Sequence, residues 1–176
     1  AATGEADIAV TTHPAELFPD LLLLDYCKLP RALLMPRGHP LASESRITLK
    51  AISQFPLITL DAGSLGQSNM QERFRQSGLT PRLVFTGVDV DAVKAFVESG
   101  IGIAVVPAIS YDQKRDPGLH VADVSHLFDP HSGCLGLRRN HYLRGYAFDF
   151  IEMLAPQLNR RRIQQALDSG RASIEV

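Results

Sequence analysis

The residues best suited to chemistry in this chain lie in Gly63-Ser-Leu-Gly-Gln-Ser68. Its two glycines, Gly63 and Gly66, let a backbone come close to a ligand. A helix is expected directly after them, so free N–H groups and the positive end of a helix dipole face whatever the loop holds. Ser64, Gln67 and Ser68 add neutral donors, a set that suits a sulfate or a carboxylate without a full positive charge. The same residues also read as an ordinary capped helix after a tight turn.

Other reactive residue types gather into no recognised pattern. His126 and His131, with Asp123 and Asp129, lack the spacing of a metal site and read as a solvated loop. His39 sits in a Gly-His-Pro turn and reads as structural. Cys27 and Cys134 lie far apart, which suits a reducing cytoplasm, and each reads as a small buried hydrophobe. A disulfide between them would act as a redox switch. Gly63-Ser64-Leu65-Gly66 lacks the Gly-x-Ser-x-Gly spacing of a nucleophile elbow, and there is no Walker loop. With no convergent acid–base or nucleophilic set, the chain reads as a non-enzyme, with no catalytic residue, metal or cofactor.

The elements that must position these residues follow from hydrophobic periodicity. Residues 6–12, 20–24, 31–35, 56–60, 82–86, 103–106, 119–124 and 134–138 read as strands. Residues 47–54 read as a short helix, and a second helix runs from the glycine-rich loop to about Gln76, stopped by Gly78. A third is capped by Thr86 or Asp89, carries Val90, Val93, Ala95, Phe96 and Val97 on one face, and stops at Gly100. Gly102 lets the next strand approach closely, and that strand reads as one covered on both faces. Residues 145–154 form a last helix, with Tyr146, Phe150 and Leu154 on one face. The alternation of strand and helix calls for an α/β fold with mainly parallel sheets. Gly4-Glu-Ala-Asp-Ile-Ala-Val10 echoes Gly100-Ile-Gly-Ile-Ala-Val-Val106, as if two similar halves were present and the first were cut short.

Composition bounds the function. The 176 residues hold 45% hydrophobic and 21% charged side chains with a formal net charge of −1. That balance argues against DNA binding by this segment, which needs a basic face, and Arg160-Arg-Arg162 reads as a solvated helix end. No apolar run reaches membrane-spanning length, so no membrane partner is expected.

The run Asp89-Val-Asp-Ala-Val-Lys-Ala-Phe-Val-Glu-Ser-Gly-Ile-Gly-Ile-Ala-Val-Val-Pro107 closely resembles one in the effector-binding half of LysR-type transcriptional regulators. The resemblance extends through Pro36-Arg-Gly-His-Pro-Leu41, Gly78-Leu-Thr-Pro-Arg-Leu-Val-Phe-Thr86 and Gly136-Leu-Arg-Arg-Asn140. It is strongest at Leu143-Arg-Gly-Tyr-Ala-Phe-Asp-Phe-Ile-Glu-Met-Leu-Ala-Pro156, and within the family it is nearest to the CysB-like activators of sulfur assimilation.

The resemblance implies two Rossmann-like lobes of the type II periplasmic-binding-protein kind. Lobe II (29–131) is complete, lobe I (1–28 and 132–157) is partial and N-terminally truncated, and 158–176 is a C-terminal tail. Crossover segments near 27–30 and 131–134 would form a hinge. A truncated lobe I is expected to expose apolar surface. A small anionic effector (sulfate, thiosulfate or an acylated serine) would bind between the lobes of a cytoplasmic homo-oligomer, a dimer or tetramer. Pairing would use residues 67–76 and 82–86 against lobe I of a partner. DNA would be met only by a winged helix-turn-helix outside this chain. The implied ligand-binding positions are Thr11, Thr12, Leu29, Gly63, Ser64, Leu65, Gly66, Gln67 and Thr86. Two depart from the CysB-like pattern: Leu29 stands where that pattern has an aromatic residue, and Leu65 where it has a hydroxyl. The pair favours a ligand with an apolar part and an anionic end over sulfate itself. A secreted two-lobe small-molecule binding protein is the alternative.

Overall fold

The computed structural model describes residues 1, 4–12, 17–60, 65–139, 142–169 and 173–174. The chain divides into two compact units: unit 1 is Ala1–Lys28 with Ser132–Val176, and unit 2 is Leu29–His131.

Unit 2 holds β3 (Arg31–Pro36), α1 (Leu49–Ile52), β4 (Pro56–Leu60), α2 (Leu65–Gln76), β5 (Arg82–Gly87), α3 (Val90–Glu98), β6 (Ile103–Pro107) and β7 (Leu119–Asp123). Its sheet has the order β5-β4-β6-β3-β7. β4 pairs in parallel with both β5 and β6, whereas β3 pairs antiparallel with β6 and β7. Four strands therefore run one way and β3 runs against them. The expectation of mainly parallel pairing is corrected to a mixed sheet. β3 has no crossover helix before it, so it enters from the edge where β6 ends, with Arg31 opposite Pro107.

The central strands read as unbroken apolar runs because both of their faces are buried. Leu33, Met35, Leu57, Ile103 and Val105 point into one core with Ile52, Met70, Phe74 and Phe128. Leu34, Ile58, Ala104 and Val106 point into the other, with Val93, Val97 and Leu119. α3 has the predicted boundaries. Asp89 Oδ1 accepts the Ala92 N–H at 2.7 Å, and Gly100, at φ 80°, ends the helix in the left-handed region. Of its predicted apolar face, Val93 and Val97 are buried and Ala95 is exposed. Lys94, off that face as expected, reaches Asp116 Oδ1 at 3.2 Å and the Ser110 carbonyl at 3.1 Å, tying α3 to the loop after β6.

Unit 1 holds β1 (Ile8–Thr11), β2 (Leu21–Leu29, whose last residue belongs to unit 2), β8 (His131–Arg138, whose first residue does), α4 (Gly145–Leu154), α5 (Arg160–Ser169) and β9 (Ser173–Ile174). The sheet order is β1-β8-β2-β9, with β1 antiparallel to β8. Its main core joins Leu22, Leu24, Leu135 and Leu137 to Phe148, Ile151, Leu158, Ile163 and Ala166. The tail residues Ile163 and Ala166 are thus part of this core, carried by α5.

α4 has the expected limits, and the face that carries Tyr146, Phe150 and Leu154 is the more exposed one. Ala147, Phe148 and Ile151 are buried, whereas Tyr146, Phe150 and Leu154 are 55%, 48% and 40% exposed. The helix is apolar on two sides, so spacing alone allowed two stripes, and the stripe that continues into Ala155 and Leu158 is the one that reaches the sheet. In the internal echo both glycines take positive φ, 91° at Gly4 and 80° at Gly100. The strands that follow differ: β1 lies at a sheet edge and β6 in a sheet centre.

Gly102 shows how tightly unit 2 is built. A Cβ there would stand 2.6 Å from the Pro56 carbonyl oxygen, a backbone atom with no freedom to retreat. Gly102→Ala is expected to destabilise the fold by about 1–3 kcal/mol in urea unfolding. Gly118→Ala, whose Cβ would meet the mobile end of Glu98, should cost distinctly less. Equal losses would contradict this packing.

Candidate functional site

β4 and β5 end side by side, with Thr59 opposite Thr86 and Leu60 opposite Gly87. Each leads into a helix, α2 from Leu65 and α3 from Val90, so both helix N-termini come to the carboxyl edge of the unit 2 sheet. Open α/β sheets receive ligands at such an edge, where unpaired N–H groups and helix dipoles favour an anion. The carboxylate of Asp89 already takes the N–H of Ala92 and sets a negative charge at the start of α3.

The predicted residues fall as follows. Thr86 is exposed at the end of β5, and Leu65, Gly66 and Gln67 form the first turn of α2. Half-buried Leu29 precedes Pro30, whose carbonyl accepts the Ala108 N–H at 2.8 Å, which brings it to the same edge. Gly63 and Ser64 lie outside the described residues. In unit 1, Thr11 closes β1 opposite Cys134, and Thr12 is exposed just after it.

A second polar centre was not anticipated. Arg31, 6% exposed, donates from Nη2 to the Val105 carbonyl at 3.1 Å. Its Nη1 lies 3.2 and 3.3 Å from the two ring nitrogens of His131. Burial, and then the charge of Arg31, pull the His131 pKa down from 6.5 to about 4, so the ring is neutral at pH 7. The expectation of a solvated loop is corrected for His131, which opens β8 half-buried against this guanidinium. His126 Nε2 lies 2.9 Å from the Ile47 carbonyl, and His39 Nδ1 accepts the Leu41 N–H at 3.2 Å. Among the described residues, no group of three His, Cys, Asp or Glu side chains is placed to hold a metal.

In unit 1 the Cys134 thiol donates to Asp25 Oδ1 at 3.1 Å. Burial first, and then Asp25, push its pKa up to about 12. A thiol held this firmly protonated is a poor disulfide partner, because thiolate is the reacting form.

The family profile described as LysR substrate binding domain matches residues 1–159. The HTH-type transcriptional regulator SsuR of Burkholderia cenocepacia is 39% identical over 160 residues, covering 91% of this chain and 52% of that protein. The HTH-type transcriptional regulator CysB of the same organism is 34% identical over 172 residues, covering 98% and 55%. The chain spans about half the length of the curated relatives it matches. The crystal structure of the cofactor-binding domain of the Cbl transcriptional regulator superposes with a TM-score of 0.87 at 32% identity, covering 94% of this chain and 73% of that one. Such domains have the type II periplasmic-binding-protein fold.

Two outcomes follow from the electrostatics. Cys134 should react with iodoacetamide at least about tenfold more slowly than a free thiol, because burial and Asp25 raise its pKa to about 12; Asp25→Asn should speed it, and labelling at the free-thiol rate would refute the assignment. His131 is neutral in the fold, so between pH 6.5 and about 4 the unfolded chain gains a proton that the folded one does not. Stability should therefore fall as pH drops through that window. His131→Gln should flatten the slope, leaving the part due to His39, whose pKa burial also lowers. An unchanged slope would show that His131 is not the group responsible.

Proposed function

Since the chain belongs to the LysR substrate-binding domain family, we propose that it is the effector-sensing part of a DNA-binding transcriptional regulator of sulfur assimilation or cysteine biosynthesis genes. Its relatives SsuR, CysB and Cbl are sulfur-related regulators and not enzymes. The observation that carries the reading is the shared edge at which β4 and β5 end and α2 begins, with Thr86 and Leu29 beside it. Backbone N–H groups at the start of α2 bind the anionic end of a small effector, and Leu29 and Leu65 favour an apolar portion over bare sulfate.

The protein works in the cytoplasm as a homo-oligomer, and an N-terminal winged helix-turn-helix of the full-length protein contacts DNA. Apolar side chains support the oligomer reading: Val84 and Phe85 on β5 are 40% and 37% exposed, and Met153 on α4 is 83% exposed. Ligand binding regulates only if the effector favours one arrangement of the protein over another.

Calorimetric titration with O-acetylserine, N-acetylserine, thiosulfate and sulfate tests the reading. An acylated serine should bind more tightly than sulfate, and silence with all four would sink it. Leu65→Ser restores the hydroxyl of the CysB-like pattern and should strengthen sulfate binding by about tenfold or more, the worth of one hydrogen bond to a charged group.

A further inference from the structure

We propose that unit 2 carries a second anion site, built around the buried guanidinium of Arg31 and separate from the strand-end edge described above. Among the described residues Arg31 has only neutral partners: the Val105 carbonyl and the uncharged His131 ring. No carboxylate forms an ion pair with it among the described residues. A guanidinium that is 6% exposed and lacks a counter-charge departs from the rule that buried charges are paired.

The residue lines a cavity of about 240 Å³ whose wall also includes Arg73, Met70, Phe128 and Asp129. Arg73 commits Nε to the Leu127 carbonyl at 3.0 Å, which leaves its two Nη groups for a ligand. Glu72, on the same wall, is already held by Arg75 at 2.7 and 2.6 Å and by Gln76 at 3.0 Å. Among the described residues, two guanidinium groups thus face one unpaired carboxylate, Asp129, so the net charge of the wall is positive. Met70 and Phe128, 3% and 5% exposed, give the same space an apolar floor. Asp129 on the wall disfavours multiply charged anions. The ligand class is a small monoanion with a short apolar tail, a carboxylate or an organic sulfonate, gripped by planar guanidinium donors. Arg31 and His131 stand next to the two points where the chain passes between units.

The test is titration of the protein with propane-1-sulfonate and, separately, sulfate, followed by NMR of the arginine side-chain Nε–H resonances. A saturable shift of Arg73 is expected, with propane-1-sulfonate binding more tightly than sulfate. Arg73→Gln should weaken binding by about 10- to 100-fold, as loss of a hydrogen bond to a charged group requires. Arg31→Lys keeps the charge but not the planar fork and should weaken it too. Thr86→Ala, at the other edge, should leave it intact. No saturable shift at millimolar ligand would overturn the proposal, as would binding that survives both arginine variants unchanged. Binding lost in Thr86→Ala but kept in Arg73→Gln would also overturn it, and would place the anion at the effector edge instead.

Discussion

Strand β6 sends Ile103 and Val105 into one core and Ala104 and Val106 into another. A strand buried on both faces has no solvated side to relax toward, and a one-residue slip would exchange its two sets of side chains. The close approach at Gly102 pins its start against Pro56, and its pairings with β4 and β3 pin its length. Everything at the carboxyl edge inherits that precision. β4 is held against β6, which fixes where β4 ends, and Leu29 is held there because Arg31 pairs with Pro107. The strand ends at the candidate ligand edge are positioned by the apolar strands beneath them.

Unit 1 solves the same burial problem with less material. α4 and α5 cover one face of its sheet, where Phe148, Ile151, Ile163 and Ala166 meet Leu22, Leu24, Leu135 and Leu137. On the other face, among the described residues, Leu21, Leu23 and Cys134 form a small cluster, with Ala1 and Phe18 packed on it. The hydrogen bond from Cys134 to Asp25 belongs to this thin side. The half-buried Asp25 carboxylate takes this thiol as a donor on one side and faces Lys28 at 3.5 Å on the other.

The parts legible in the sequence are those where one period has a single physical solution. The run from Asp89 to Pro107 contains a cap, a stop, a close approach and a doubly buried strand, and each has the structure its residues require. α4 was legible in extent but not in orientation, because a helix apolar on two sides does not say which side meets the sheet. α5 was missed because Arg160, Arg161 and Arg162 open it, and only Ile163 and Ala166 within it are fully buried. β2 runs on to Leu29 past Asp25 and Lys28, whose polarity reads as a loop until their partners Cys134 and Ser132 are seen. Arg31 was overlooked for a related reason. A lone arginine opening an apolar strand reads as its solvated end, and only tertiary packing reveals that it is buried. The one available signal was its place between Pro30 and a run of four apolar residues that a doubly covered strand would bury.

The two polar centres proposed in unit 2 would handle an anion in different ways. At the strand-end edge the donors are neutral: a helix terminus and hydroxyls, which cost little to leave solvated when no ligand is present. Around Arg31 the donor is a full charge already removed from water, so its desolvation cost is carried by the fold whether or not a ligand arrives. The neutral His131 ring lessens that cost without cancelling it, since a lone pair is a weaker partner than a carboxylate. A full carboxylate in its place would pair the guanidinium and close the cavity to anions. Keeping a histidine there leaves the positive charge uncompensated, and that is the arrangement an anion site requires and a purely structural ion pair does not.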